Sequence, residues 1–197
     1  MDYETIRKNF ESHGFSTQFF ATNEEAKAYL AETVQRTTIG FGSSMTLQEL
    51  GLYEALEKKN TIAWHMKTPS MYVRRLASHA NVYITSVNAV TETGEIVNID
   101  RIGNRVAMTA FGPRNCYYIV GKNKITKNVA EALHRAKHVA GPKNAQRVKS
   151  ETPCAVLGDK CYDCNVPGRI CRMTMITERA PYGMQSEVIF IDQDLGL

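Results

Sequence analysis

The sequence predicts a layered α/β fold with a mostly parallel sheet flanked by helices. Three observations predict it. From residue 37 onward, short apolar and β-branched runs alternate with segments of helical period, the order that leads to parallel pairing. Several runs end in clusters of small and polar residues, such as Gly42-Ser43-Ser44 and Gly121-Lys122-Asn123-Lys124, which read as turns at strand ends. The chain has 197 residues, 43% hydrophobic and 22% charged, enough to bury one core without disulfides or metal.

Taken in order, residues 3 to 12 read as a helix closed by His13-Gly14. Thr22-Asn23-Glu24-Glu25 is a capping box that opens a helix to about Arg36, with Ala26, Leu30, Ala31 and Val34 at helical spacing. Thr37 to Phe41 reads as a strand, followed by a helix carrying Leu47, Leu50, Leu52 and Leu56. Thr61 to Trp64 is the next strand, Pro69 to Ser78 a helix, and Ala80 to Ser86 a third strand. Thr91 to Gly94 is a turn and Ile96 to Ile99 a short returning strand, a hairpin that departs from a plain doubly wound sheet. Gly103 to Phe111 reads as a helix ended by Gly112-Pro113, and Cys116 to Val120 as a buried strand. Asn128 caps the clearest helix, with Val129, Ala132, Leu133, Ala136 and Val139 on one face and His134 and His138 off it, on the solvent side. The expected layout is one domain over 1–197: N-terminal helices over 1–36, an α/β core over 37–150, and a cysteine-rich metal loop with a final strand over 151–197.

Formal charge is +4, too small to argue for nucleic acid, and neither interleaved aromatics nor a helix-turn-helix pattern supports that partner. Lys122 to Lys149 carries eight basic residues against Glu131 alone, which reads as a solvated helix face or the rim of an anion site. No signal-like segment and no bilayer-spanning apolar run stands out, so a cytoplasmic protein without a membrane span is expected.

Two regions carry chemistry. The first is Ser86–Lys124, whose polar residues Thr91, Glu92, Asn98, Asp100, Asn104, Arg105, Asn123 and Lys124 fall at expected strand ends or turns. In an α/β sheet such positions form a ligand crevice. Gly42, Ser43, Ser44 and Thr46 would add backbone N–H groups and hydroxyls, although the loop is neither a Walker loop nor Gly-x-Gly-x-x-Gly and reads equally as a capped turn. Together with Thr91, Asn104, Gly121, Asn123 and Lys124, these residues are expected to bind a small anionic ligand, a carboxylate or phosphate. Glu92 or Asp100 would act as general base and Arg105 as electrostatic clamp. Turn chemistry and a surface ion pair are the competing readings of those three residues. No Ser-His-Asp or Cys-His arrangement can be assembled.

The second region is Cys154, Cys161, Cys164 and Cys171, spaced C-x6-C-x2-C-x6-C. Four thiolates suit tetrahedral zinc or a [4Fe–4S] cluster, and the spacing matches neither standard template. Lys160, Arg169 and Arg172 would offset the thiolate charge. Buried free cysteines and a redox-active Cys161–Cys164 pair are the alternatives. Cys116 reads as a small core residue.

Ser86-Val-Asn-Ala-Val-Thr-Glu-Thr-Gly-Glu-Ile-Val-Asn-Ile-Asp, Gly103-Asn-Arg-Val-Ala, Phe111-Gly-Pro and Val120-Gly-Lys-Asn-Lys together resemble the LUD domain, the family of lactate-utilisation proteins B and C. The loop Gly42-Ser-Ser-Met-Thr and the segment Asp194-Leu-Gly-Leu are similar as well, and the four-cysteine segment resembles a subset of the family. The resemblance implies a NagB/RpiA/CoA-transferase-like fold with an anion-binding crevice. It also implies a part in oxidising L-lactate to pyruvate, as a component of an oxidoreductase on 2-hydroxy acids acting with iron–sulfur partner proteins. An iron–sulfur electron-transfer subunit, and a ligand-sensing or assembly module with a structural zinc, are the other expectations. A homo-oligomer is compatible with all of them.

Overall fold

The computed structural model describes residues 2–197. Its centre is a six-stranded sheet, every neighbouring pair of which runs parallel, in the order β1-β10-β7-β4-β2-β3. The strands are β1 (Ser16–Phe20), β2 (Thr38–Phe41), β3 (Thr61–Ala63), β4 (Val82–Ser86), β7 (Asn115–Gly121) and β10 (Gln185–Ile191). A smaller sheet of β5 (Ala89–Thr91), β6 (Ile96–Asp100), β8 (Ile125–Thr126) and β9 (Met173–Thr177) has the order β8-β5-β6-β9. The expected α/β architecture, a mostly parallel sheet flanked by helices, is therefore the observed one.

Side-chain alternation decides which face each residue covers. Along β7, Tyr117 and Ile119 join one core while Cys116, Tyr118 and Val120 join the other. In β10, Ile189 and Ile191 match the first pair, and Val188 and Phe190 the second. A parallel sheet buried on both faces needs apolar residues on both, which explains the unbroken runs Cys-Tyr-Tyr-Ile-Val and Val-Ile-Phe-Ile. One face is covered by α2 (Asn23–Thr33), α3 (Met45–Glu49) and α4 (Leu52–Leu56), through Leu30, Leu47, Leu52 and Leu56. The other is covered partly by α1 (Tyr3–Ser12), through Ile6 and Phe10.

Local chemistry explains most element ends. The Thr22 capping box forms as read: its hydroxyl accepts from Glu25 N–H and the Glu25 carboxylate accepts from Thr22 N–H. The helix expected after Met45 is split in two, because Gly51 adopts a left-handed backbone (φ 63°) that ends α3 and starts α4. Helix α5 (Met71–Ala77) begins after a Ser70 cap rather than at Pro69. β1 lies within the region expected to hold only helices; its first three residues are polar, and it is held at the sheet edge by pairing with β10, Phe19 opposite Phe190.

Helix α6 (Asn104–Ala110) follows the small sheet, and α7 (Val129–Arg135) begins at the Asn128 cap. The chain then passes through a π-helical turn, Ala136–Ala140, into α8 (Gly141–Arg147). His134 is exposed and His138 half-buried, their rings stacked at 4.5 Å. Among the described residues no helix is long and apolar enough to cross a membrane.

Candidate functional site

In a parallel sheet all carboxyl ends lie along one edge, and here that edge is lined with polar groups. Ser43 and Ser44 follow β2, His65 follows β3, Ser86 ends β4, and the single 3-10 turn Lys122–Lys124 follows β7. These ends face the small sheet, α6, the π-helical turn and α8 across a crevice of about 210 Å³. Small residues of that turn and its flank, Ala136, Ala140 and Gly141, leave the space open.

Lys124 forms the floor. Only 3% exposed, its Nζ donates to Thr46 Oγ1 and Ser86 Oγ, both at 2.8 Å. Burial, and then the charges of Arg135 and Arg105, lower its pKa to about 7, opposed by Glu49. Arg105 braces the adjacent wall. Its Nε donates to Asp100 Oδ1 at 3.0 Å, and Nη2 donates to Asn88 Oδ1 and the Ile99 carbonyl at 2.8 and 2.7 Å. The other Asp100 oxygen accepts from the N–H groups of Arg105 and Val106, so this carboxylate caps α6 while it pairs the guanidinium.

Four arginines line the crevice, Arg74, Arg101, Arg105 and Arg147, together with the Lys124 amine. The one carboxylate side chain among the lining residues, Asp100, is already paired. Two lining residues also carry buried polar atoms without a partner, His65 Nδ1 and Arg74 Nε. His65 is 5% exposed; burial, followed by the charge of Arg74, lowers its pKa to about 4. A basic cavity with an unpartnered guanidinium donor is chemically suited to an anion.

Of the residues singled out in the sequence, Ser43, Ser44, Thr46, Asp100, Asn104, Arg105 and Lys124 come together here. Others are occupied elsewhere. Gly42 N–H donates to the Ile84 carbonyl, and a Cβ at this position would strike the Thr85 side chain, so the glycine answers a packing need. Thr91 Oγ1 accepts from the N–H groups of Gly94 and Glu95 in the β5–β6 turn. Glu92 in the same turn donates its N–H to Thr126 and accepts from Asn9 Nδ2 on its carbonyl. Asn123 Oδ1 accepts from Leu195 N–H, and Gly121 packs against the same segment. Buried Asn98 accepts from Asn88 N–H.

His65, Arg74 and Arg147 are not distinguished by motif. The position of His65, directly after a strand and so at the carboxyl edge, was the available signal. Arg74 and Arg147 lie on helices whose packing brings them to the crevice, which no local pattern encodes.

The expected four-cysteine metal centre, with its [4Fe–4S] or zinc cofactor, is corrected by the structure. Among the described residues no three His, Cys, Asp or Glu side chains are grouped so that they could hold a metal ion. Cys154 is buried on α9 (Pro153–Leu157), within hydrogen-bond distance of Thr152 Oγ1 at 3.3 Å. Cys161, Cys164 and Cys171 lie on the irregular stretch after it. Arg169 organises that stretch by donating to the Cys164 and Cys171 carbonyls at 2.5 and 2.8 Å and to Asp163 Oδ1 at 2.9 Å. Cys171 packs with Ala145, Cys154 and Ile170. Burial, then the nearby Cys161 and Cys154, push its thiol up to about 11. The thiols sense one another without converging. All five cysteines are free, and Cys116 is a core residue as expected. The functions that rested on a metal centre, iron–sulfur electron transfer and a zinc-stapled module, fall with it.

A parallel sheet flanked by helices, with a basic crevice at its carboxyl edge, defines a protein of the layered α/β class. More particularly, residues 3–191 match the LUD domain, and the chain belongs to that family. Among solved structures, it is similar to a DUF162 family protein from Deinococcus radiodurans: 13% identity over 96% of this chain and 95% of that chain, with a TM-score of 0.56. At that identity the likeness shows the fold alone. Ribose 5-phosphate isomerase A from Neisseria gonorrhoeae overlaps over 56% of this chain and 57% of that one, at 17% identity and a TM-score of 0.35, too slight to carry an argument. No curated protein matches significantly.

Proposed function

We propose that the protein binds a small anionic metabolite, a carboxylate or phosphate, in the crevice over Lys124 and acts on it there. The observation that carries this reading is the lining of four arginines, whose only carboxylate side chain is already committed to Arg105. An empty cavity of this kind repels itself, and a bound anion relieves the repulsion. Arg74, Arg101 and Arg147 supply the outer charge, Arg74 Nε an unpartnered donor, and Lys124 with Ser86 and Thr46 the polar floor. Arg105, held by Asp100 and Asn88, is the fixed clamp. About 210 Å³ suits a ligand of a few heavy atoms.

The test is a thermal-shift and calorimetric panel of orthophosphate, oxalate and L-lactate against chloride at equal ionic strength, on the wild type and on Arg74→Ala. One member should raise Tm in a saturable way and bind roughly tenfold more weakly to the variant, the loss of about 1.4 kcal/mol expected for a charge-assisted contact. Equal, non-saturating effects of all the anions on both proteins would overturn the reading.

A further inference from the structure

Lys124 poses a problem that anion binding alone does not answer. It is buried, and among the described residues it forms no ion pair. The carboxylate that acts on it, Glu49, accepts from Gly196 N–H at 2.7 Å instead. Burying an amine without an acidic partner is costly, and a neutral amide or hydroxyl could tie Thr46 to Ser86 without that cost.

The local hydrogen bonds show what the amine is arranged to do. A neutral amine has two N–H bonds and one lone pair, and two acceptors, Thr46 Oγ1 and Ser86 Oγ, are in place. Both N–H bonds are then used and the lone pair is left over. Thr46 directs its own proton toward the Leu195 carbonyl at 3.5 Å. Apart from Lys124 Nζ itself, the Ser86 hydroxyl proton has no acceptor among the described residues, and Ser86 lines the crevice beside Lys124. An electrophile over Lys124 would therefore meet the amine lone pair and, next to it, a hydroxyl whose proton is held by no carbonyl or carboxylate. The groups that set the charge of the amine are Arg105 on α6, Arg135 on α7 and Glu49 on α3; they and burial leave it substantially neutral near pH 7.

We propose that Lys124 is a nucleophile that forms an imine with a small carbonyl compound whose anionic group is held by the arginines of the crevice. The inference rests on the anion-binding reading above. The amine lone pair forms a C–N bond to the carbonyl carbon while the C=O π pair moves to oxygen, which takes the Ser86 proton. Ser86 is reprotonated from the new ammonium, giving a carbinolamine. The nitrogen lone pair then forms C=N as the C–O bond breaks, and the oxygen leaves as water after taking up one further proton from solvent. The product is the iminium, and no oxidant or reductant is consumed.

The test is borohydride trapping on the full chain at pH 7 with two probes, glyoxylate for a carboxylate group and glycolaldehyde phosphate for a phosphate group, read by intact mass and peptide mapping. One adduct per chain is expected, on Lys124, with exposed Lys8 left unmodified. Orthophosphate should suppress it. The probe that saturates at the lower concentration names the anionic group. Lys124→Met should abolish the adduct and Lys8→Arg should leave it; peptide mapping of the wild type decides the site even if Lys124→Met does not fold. Trapping absent from Lys124, or spread evenly over surface lysines, overturns the imine. If orthophosphate or oxalate still raises Tm in that case, the anion crevice stands without it; if neither does, both readings fall.

Discussion

Lys124 lies where the carboxyl ends of parallel strands converge, whereas Cys161 and Cys164 lie between Gly158 and Arg172 on a stretch without regular structure. Both regions stand out in the sequence as polar or reactive residues in suggestive patterns. They differ in what holds them. The crevice groups are fixed by buried strands and by hydrogen bonds to Arg105 and Asp100. The cysteine segment is tied by Arg169 to its own backbone carbonyls, which orders the chain and leaves the sulfurs unconverged. A spacing pattern is thus weaker evidence than a position on a rigid edge, because a loop can satisfy its geometry in several ways.

The largest expected effect breaks the crevice wall. Arg105→Ala strips the partner from an Asp100 side chain only 12% exposed and should destabilise the protein by about 3 kcal/mol in urea unfolding. Arg105→Lys should recover a minority of that, since an ammonium cannot span Asp100, Asn88 and the Ile99 carbonyl together. A loss under about 1 kcal/mol for Arg105→Ala would mean that the wall is not the rigid part.

Next is the pH dependence of Lys124. Its folded pKa of about 7 lies below the unfolded value of 10.5, so between these pH values the unfolded chain binds more protons and stability rises with pH. The stability difference between the wild type and Lys124→Met should change by up to about 1.4 kcal/mol per pH unit across that window, because the raised Cys116 and Cys171 thiols oppose it equally in both proteins. A third expectation concerns His65, whose pKa falls from 6.5 to about 4 on folding. The unfolded chain again binds the extra proton, so stability falls as pH drops through that window, and His65→Gln should flatten the acid limb of a Tm–pH curve.

The smallest effects belong to the cysteine segment. Cys161→Ser and Cys164→Ser should change stability by no more than about 0.5 kcal/mol, and a chelator should leave Tm unchanged. A large chelator-induced loss would erase the contrast between the two regions.

The sequence carried the sheet and its helices in the positions where local signals agree. The Cys116–Val120 run, the Thr22 box and the Asn128 cap each combine pattern with a definite end. It did not carry β1, β8 and β9. β8 has two residues, and the others are sheet-edge strands that exist through their pairing partners. For the same reason Lys124, Arg105 and Thr46 were legible as strand-end or loop polar residues, while Arg74 and Arg147 were not.

By itself the sequence determined an α/β protein with a parallel core, because alternating apolar runs and amphipathic helices bury both sheet faces in few other ways. It also placed Asp100 at a strand end and Lys124 in the turn after a strand, but not Asn98, which lies buried inside β6. Only the tertiary structure decided that Lys124 hydrogen-bonds Ser86 and Thr46 across 38 and 78 residues of chain, and that four patterned cysteines do not meet. Long-range convergence depends on how layers pack, and that information belongs to no local stretch.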